Sequence, residues 1–402
     1  MHVELPPELC ESVVNHIPAD DIATIRSCLL VSRAYCDASE RRLFAHVRLG
    51  EAARPYSRIA ELFAARPHLA AYVTSMRLEL PDDEDRWREE KPIAESVFRP
   101  LRNIAQLDID GGMPVQPESP LVGLRIRALG WMLGVLEAHG TLQHIMLWHV
   151  SLTKSLFHRV ISVVPSLNLH GAGLIDEPEF EMFPGTPTPV PQKSIEHLEN
   201  DSSIKLYDLL LRPEYEQCVA GLRSWTHRRF IEPEELRPCF LSAATLEYLE
   251  LRLASDWICH IAMVHALRLP SSMPALVQLV LRINPCTPPP CVIELLSSNG
   301  APALAVLLFR FTEPPLVDPE DARYSFDPET FAALDDAVVA HPSLRAVEWR
   351  LLFRRWDMKR VRPGPHLSPP VQFLINALHA YLPQACRKEI VRLSDDFLKM
   401  FE

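Results

Sequence analysis

The chain has 402 residues, of which 48% are hydrophobic, and a formal net charge of −11. A chain of this length can bury a large core, and we expect it to form two or three structural units. The acidic balance excludes a protein that binds nucleic acid over its whole surface, because that affinity depends on clustered lysine and arginine.

No membrane or secretory segment is expected. Every long apolar run is interrupted by Arg, His or Pro before it reaches the roughly 18 residues that a transmembrane helix needs. The N-terminal residues lack the charged and apolar regions of a secretory signal, which predicts a cytoplasmic or nuclear protein. The nine cysteines are spaced irregularly from Cys10 to Cys386, and we expect them to stay reduced.

The first 49 residues predict three short helices. Leu9, Val13 and Ile17 recur at every fourth residue, which is the stripe of an amphipathic helix of about ten residues. Pro18 ends this first helix, and Asp20 is expected to cap the second one.

The second and third helices carry similar apolar stripes. Ile22, Ile25 and Leu29 repeat at spacings of three and four, and a third helix is expected from about Ser32 to Leu43. Three helices of this size cannot bury all their apolar faces on one another. Part of this surface must therefore meet either the rest of the chain or a partner protein.

Beyond Gly50 the recurring pattern is L-x-x-L-x-L, with other apolar residues allowed at each L. Seven stretches fit it, starting at Val73, Ile104, Leu142, Leu246, Leu276, Leu304 and Leu344, and two poorer matches start at Ile195 and Leu222. This pattern is typical of leucine-rich repeats, in which each unit adds one strand to a parallel sheet. The fourth and sixth residues of each stretch are expected to point inward, because side chains alternate along a strand.

The predicted fold class is therefore α/β. Three helices at residues 1–49 precede an irregular leucine-rich-repeat solenoid at 50–370, with its parallel sheet on the concave face and helices or loops on the convex face. One such helix is expected from Ile59 to Leu69. Residues 371–402 are expected to form a helical cap that includes a charged terminal helix from about Gln384 to Phe401.

No set of residues points to enzymatic chemistry. Nucleophile elbows, phosphate-binding glycine loops and H-E-x-x-H are all absent from the sequence, so neither catalysis nor a cofactor is expected. Cys286 and Cys291 lie downstream of Cys259, His260 and His265, but the C-x2-C pairs of a zinc site are missing and no metal is expected. The basic stretch from Arg354 to Pro370 is interpreted as a solvated loop, with an anion-binding or nuclear-import patch as the alternative.

One position in the repeats suggests binding. The residue after the L-x-x-L-x-L core is Arg252, Arg282, Arg310 and Arg350 in the last four clear units, and Glu79, Asp110 and Trp148 in the first three. This seventh residue is expected on the concave face, where arginines in register favour an anionic partner such as an acidic peptide or phosphopeptide. We therefore predict that the four arginines and Trp148 contact a substrate. The alternative is that arginine simply fills solvent positions of a scaffold.

The N-terminal segment, LPPELCESVVNHI followed by DDIATIRSCLLVSRAYCDASERRLF, resembles an F-box. The residues that match the family pattern are Leu5, Pro6, Glu8, Leu9, Val13, Ile17, Asp21, Ile22, Leu29, Val31, Arg33 and Tyr35. The family more often has Cys at the position of Ser32, Trp at that of Tyr35 and Leu at that of Pro18. Further along, LFAHVRL and RPHLAAYVTSMRLEL look like the divergent F-box proteins with irregular leucine-rich repeats that are abundant in mushroom-forming fungi.

This resemblance implies the substrate receptor of a Skp-cullin-F-box ubiquitin ligase. The F-box would bind a Skp-type adapter, and through it a cullin-RING ligase, while the repeats present an unknown protein target. The resemblance assigns adapter contacts to Leu5, Pro6, Leu9, Val13, Ile17, Ile22, Leu29, Val31 and Tyr35. The alternative is an interaction scaffold without a role in ubiquitin transfer. Neither reading involves catalysis by this chain, a nucleic acid or a membrane.

Overall fold

A computed structural model describes residues 5–18, 20–50, 55–112, 119–176, 194–253, 267–283, 288–311, 327–351, 376 and 378–393. The chain divides into two compact units, residues 1–193 with 203–206 and residues 194–202 with 207–402. Both units combine helices with parallel strands, so the α/β class is confirmed. No helix in the described ranges is long and apolar enough to cross a membrane.

Three helices open the first unit: α1 (Pro7–His16), α2 (Ile22–Cys28) and α3 (Arg33–Phe44). α1 has the ten residues that its apolar spacing predicts, and it begins directly after Pro6. The second helix is capped one residue later than predicted, because the carboxylate of Asp21, and not that of Asp20, accepts the backbone N–H of Thr24 at 3.0 Å.

The rest of the first unit alternates strands with helices. Its elements are β1 (His46–Leu49), α4 (Tyr56–Ala65), a 3-10 helix (Pro67–Tyr72), β2 (Ser75–Glu79), α5 (Glu84–Phe98), β3 (Gln106–Asp110), α6 (Pro120–Glu137), β4 (His144–Trp148), β5 (Ser151–Leu152), α7 (Lys154–Val163), β6 (Ser166–His170) and β7 (Gly173–Leu174). Strands β1, β2, β3, β4 and β6 pair in this order, all parallel, while β5 pairs with β7.

The second unit repeats this design with shorter helices. Its elements are β8 (His197–Asp201), α8 (Ile204–Leu210), a 3-10 helix (Pro213–Tyr215), α9 (Glu216–Val219), β9 (Ser224–Phe230), a 3-10 helix (Pro233–Leu236), α10 (Arg237–Leu241), β10 (Tyr248–Arg252), β11 (Gln278–Arg282), α11 (Pro290–Ser297), β12 (Val306–Phe311), α12 (Pro328–Ala340), β13 (Ala346–Leu351), α13 (Pro383–Arg387) and β14 (Val391–Leu393). Strands β8 to β14 pair consecutively and in parallel. The chain passes between the two units after residues 193, 202 and 206, and the last of these three points lies within α8.

Each of the nine L-x-x-L-x-L stretches contains a strand that begins at its third residue. Two further strands follow the same pattern and were missed: FAHVRL from Phe44 carries β1, and VPSLNL from Val164 carries β6. Both stretches meet the pattern, with Phe44, Val47 and Leu49 in the first and Val164, Leu167 and Leu169 in the second, although neither begins with leucine.

The charged terminal helix predicted from Gln384 is wrong over residues 391–393. α13 ends at Arg387, Glu389 takes a left-handed backbone with φ 57°, and the chain then pairs with β13. The alternation of Val391, Arg392 and Leu393 suits a strand, and the edge of β13 supplies its backbone partners. The basic stretch from Arg354 to Pro370 lies outside the described residues.

The fourth and sixth residues of the stretches form the core, as predicted. Leu249 and Leu251 of β10 and Leu279 and Leu281 of β11 are fully buried. The third, fifth and seventh residues point to the opposite side of the sheet, which we call the odd-numbered face. On this face, the fifth residues of the three stretches that contain β10, β11 and β12 are buried as well; they are Glu250, Val280 and Leu308.

Candidate functional site

Among the described residues, exposed apolar side chains are most frequent between Leu5 and Val31, on α1, on α2 and in the segments beside these two helices. We call this set the N-terminal apolar surface; its members are Leu5 (49% exposed), Leu9 (53%), Val13 (49%), Ile22 (40%), Leu30 (90%) and Val31 (65%). Exposed apolar side chains are unremarkable when scattered singly, but a cluster of them marks an interaction site.

The exposure follows from the way α1 packs. Cys10 and Val14 are four residues apart and fully buried, so the face that they share packs against the protein. Leu9 and Val13 each precede one of these residues, which turns their own face toward solvent. Arg42 of α3 fixes this orientation, because its guanidinium donates hydrogen bonds to the backbone carbonyls of Val14 and Ile17 at the end of α1.

The residues assigned to adapter contacts divide into two groups. Leu5, Pro6, Leu9, Val13, Ile22 and Val31 are exposed, whereas Ile17, Leu29 and Tyr35 are half-buried. Leu30 is the most exposed member of the N-terminal apolar surface, and the sequence reasoning missed it. The signal was the run Leu29, Leu30 and Val31, of which the last two residues lie in the turn after α2.

Hydrogen bonds connect α3 and the residue after it to the segment that contains β1 and β2. Glu40 of α3 is buried, and its carboxylate accepts a hydrogen bond from Arg66 at 2.9 Å and lies 3.1 Å from the ring nitrogen Nε2 of His68. The carbonyl of Ala45, between α3 and β1, accepts the backbone N–H of Ser75 at the start of β2 at 2.9 Å. The N-terminal apolar surface is therefore held in a fixed position relative to β1 and β2.

In the second unit, the four arginines predicted to contact substrate lie in register on four adjacent strands. Register pairs Arg252 with Arg282, Arg282 with Arg310, and Arg310 with Arg350 across β10 to β13. We call these four residues the arginine column. All four are half-buried on the odd-numbered face, with 18% of the Arg282 side chain and 19% of that of Arg310 exposed.

One carboxylate organises the centre of the arginine column. Glu250 Oε1 accepts hydrogen bonds from Nε of Arg282 at 2.8 Å and from Nη1 of Arg310 at 2.7 Å, and Arg282 Nη2 lies 2.7 Å from the same atom. The Tyr248 hydroxyl donates to the other oxygen at 2.7 Å. Burial alone would raise the pKa of Glu250, but the Tyr248 hydrogen bond and the charges of Arg310 and Arg282 outweigh it and hold this pKa below its ordinary value.

The corresponding positions of the first unit are balanced by ion pairs. Glu79 pairs with Arg48 at 2.8 Å and Asp110 with Arg77 at 2.7 Å. Trp148, which we predicted to contact substrate, stacks on its register partner His170, with ring centroids 4.0 Å apart and planes 9° from parallel. The structure thus places Trp148 on β4 of the first unit and the four arginines together in the second unit.

Sequence reasoning also missed a buried polar cluster behind β8 and β9. Asn200 and His227 occupy the inward-pointing sixth position on these neighbouring strands, where most other strands have leucine, and both are fully buried. Neither ring nitrogen of His227 has a hydrogen-bond partner among the residues that the structure describes, and its Nε2 lies 3.9 Å from the buried carboxylate of Glu235. Burial, aided by the nearby charge of Arg229, lowers the pKa of His227 to about 3.

The residues considered for zinc do not form a site within the described ranges. No group of three or more His, Cys, Asp or Glu side chains that could hold a metal occurs there. Cys291 is buried in α11, whereas Cys259, His260, His265 and Cys286 lie outside the described residues.

Comparison of the sequence with protein-family models and with curated proteins finds no match in either set.

Proposed function

We propose that this chain is the substrate-recognition subunit of a Skp-cullin-F-box ubiquitin ligase, in which helices α1 to α3 are the F-box. One observation carries the proposal. Of the nine large apolar side chains that are exposed in the described part of the chain, six lie between Leu5 and Val31. Such a concentration favours a protein partner that covers it, and the resemblance of this segment to an F-box supplies the partner, a Skp-type adapter.

The remaining chain would then present the target. In this proposal, residues 1–49 form the F-box, residues 50–370 an irregular leucine-rich-repeat domain and residues 371–402 its cap, in a cytoplasmic or nuclear protein. Within each unit, the parallel strands offer a row of outward side chains on which a target can bind. Substrate contacts are assigned to the four arginines of the second unit and to Trp148 of the first.

The mechanism is proximity. A receptor of this kind forms no bond itself; it holds a target close to the conjugating enzyme that the cullin-RING assembly brings, which replaces a bimolecular encounter by an effectively intramolecular one. The contacts of Arg42 with α1 and of Glu40 with Arg66 would keep the bound adapter in a fixed position relative to the first strands.

Adapter capture tests the proposal. We would compare copurification of a Skp-type adapter with the wild-type chain, the Val13→Asp variant and the Asn15→Asp variant. Both substitutions add one carboxylate to an exposed position in the last turns of α1, but only Val13 belongs to the N-terminal apolar surface. We expect Val13→Asp to abolish capture because it buries an unpaired charge in the interface, and Asn15→Asp to retain it.

Equal capture of the adapter by both variants would contradict the proposal. If the wild-type chain captures no adapter at all, the interaction scaffold without a ubiquitin role becomes the better description.

A further inference from the structure

We propose that the odd-numbered face carries arginine in place of lysine so that the assembled ligase modifies the target bound there and leaves this chain unmodified. The inference rests on the proposed function, because it needs a ubiquitin-charged enzyme close to the bound target. It adds a property that the proposed function alone does not require, which is protection of the receptor from modification of itself.

The first support is the placement of lysine and arginine. Only seven of the 41 basic residues of the chain are lysines. In the eleven described stretches that contain a strand, no third, fifth or seventh position holds lysine, whereas seven hold arginine: Arg48, Arg77, Arg228, Arg252, Arg282, Arg310 and Arg350. The lysines that the structure describes lie in α5, in α7, in α8 and directly after α13; they are Lys91, Lys154, Lys205 and Lys388.

The second support is the chemistry of ubiquitin transfer, in which lysine is an acceptor and arginine is not. The neutral amine of a lysine attacks the carbonyl carbon of the thioester that joins ubiquitin to its conjugating enzyme. A C–N bond forms as the C–S bond breaks, and the proton that the nitrogen loses ends on the departing thiol. A guanidinium keeps its proton at every pH that proteins tolerate and spreads its electrons over three nitrogens, so it cannot attack.

The third support is that ion-pair geometry does not account for the choice of arginine at the most exposed of these positions. Nη2 of Arg48 donates to Oε1 of Glu79 at 2.8 Å. Nη2 of Arg77 donates to Oδ2 of Asp110 at 2.7 Å. A lysine ammonium is a point charge that can make a contact through one nitrogen equally well, whereas the advantage of arginine lies in bidentate contacts.

The same two positions would expose a lysine where it does most harm. The side chains of Arg48 and Arg77 are 54% and 42% exposed. A target held on the odd-numbered face brings the ubiquitin thioester to that face, so an amine beside the target would share its high effective concentration. Arginine supplies the positive charge there without offering an acceptor.

Ubiquitin transfer to the chain itself tests the inference. The full-length chain is assembled with a Skp-type adapter, a cullin-RING assembly and a charged conjugating enzyme. Ubiquitin with methylated amines limits each acceptor to one addition, and peptide mass spectrometry locates the modified lysines. Discharge of the conjugating enzyme onto free lysine confirms that the enzymes are active.

Two double variants with unchanged net charge are compared with the wild type. Arg48→Lys with Arg77→Lys adds two lysines to the odd-numbered face, whereas Arg58→Lys with Arg99→Lys adds two at exposed positions in α4 and directly after α5. We expect the first variant to be modified about fivefold more than the wild type, at the new lysines, and the second to be modified like the wild type. If circular dichroism shows that the first variant does not fold, Arg48→Lys alone is compared with Arg58→Lys alone.

Two results would overturn the inference: no gain of modification in the odd-face variant, or an equal gain in that variant and its control. Adapter capture, measured on the same preparations, separates this inference from the proposed function. A chain that captures the adapter but leaves the new lysines unmodified keeps the proposed function and loses this inference. A chain that captures no adapter contradicts both.

Discussion

The buried histidine of the second unit makes the stability of the protein depend on pH in a way that one substitution should remove. The pKa of His227 is lowered from 6.5 to about 3, first by burial and then by the charge of Arg229. Between these two pH values the unfolded chain binds a proton that the folded chain cannot accept. The stability that neutral His227 allows is therefore complete above pH 6.5 and is lost progressively as the pH falls toward 3.

The size of the effect follows from this difference. Each pH unit below 6.5 lowers the free energy of unfolding by about 1.4 kcal/mol, so a change from pH 7.5 to pH 5.0 costs about 2 kcal/mol through this group. His227→Leu should abolish the loss. Leucine suits the position, because the register partner of His227 on β10 is the fully buried Leu251. At pH 7.5 the variant should also be more stable by about 1 to 3 kcal/mol, because it removes two buried ring nitrogens that have no hydrogen-bond partner in the described part of the chain.

Urea unfolding of the wild type and the variant at pH 7.5, 6.0 and 5.0 measures both the pH dependence and the gain in stability at pH 7.5. Tryptophan fluorescence serves as the signal, because the ring centroids of Trp225 and His227 lie 5.9 Å apart. Glu235 faces His227, and burial raises the pKa of its carboxyl, which favours the folded state as the pH falls. This opposing contribution is present in the wild type and the variant alike. The difference between the two free energies should therefore widen by about 2 kcal/mol from pH 7.5 to 5.0, and a constant difference would refute the reasoning.

Three further substitutions test the other surfaces. Leu30→Asp should abolish adapter capture but change the free energy of unfolding by less than about 0.5 kcal/mol, because the side chain is 90% exposed. A large loss of stability in urea unfolding would mean that this residue packs within the chain. Arg42→Met should lower the free energy of unfolding by about 2 kcal/mol, because the carbonyls of Val14 and Ile17 at the end of α1 lose their hydrogen-bond donor. An unchanged melting temperature would argue against the contact between Arg42 and α1. Glu250→Gln should lower the free energy of unfolding by about 2 to 3 kcal/mol at pH 7, because Arg282 and Arg310 lose their shared carboxylate. This difference between variant and wild type should shrink in acid, where the wild-type carboxylate is itself protonated. A difference that does not depend on pH would exclude the ion pairs as its cause.

The strand positions were predictable because the physical requirement is simple. Each strand must bury the fourth and sixth residues of the stretch that contains it, and this requirement leaves a visible L-x-x-L-x-L pattern in the sequence. The two poorer matches, from Ile195 and Leu222, are the strands whose sixth residues are Asn200 and His227. The weak signal there had a structural cause, since the core itself is polar at these positions.

The surfaces were only partly predictable, because exposure and pairing depend on packing between elements. Leu9 and Cys10 are adjacent apolar residues of α1, and the way α1 packs against α3 decides that Cys10 is buried and Leu9 exposed. In the same way, the sequence shows that the arginines share a column, but not that one carboxylate serves two of them. Glu250 reaches Arg282 on the next strand and Arg310 one strand further, which requires the register of the sheet to be known.

The direct connection between the N-terminal helices and the sheet bears on the proposed proximity mechanism. α3 ends at Phe44 and β1 begins at His46, so a single residue, Ala45, joins them, and its carbonyl accepts the N–H of Ser75. A flexible linker at this point would let a bound adapter sample many positions and would dilute the effective concentration of one protein near the other. Here the buried carboxylate of Glu40 adds a second contact, with Arg66 and His68 at the start of the 3-10 helix Pro67–Tyr72. Under the proposed function, loosening this junction should slow ubiquitin transfer to a bound target even where adapter capture is unaffected, because proximity without a fixed geometry loses most of its kinetic benefit.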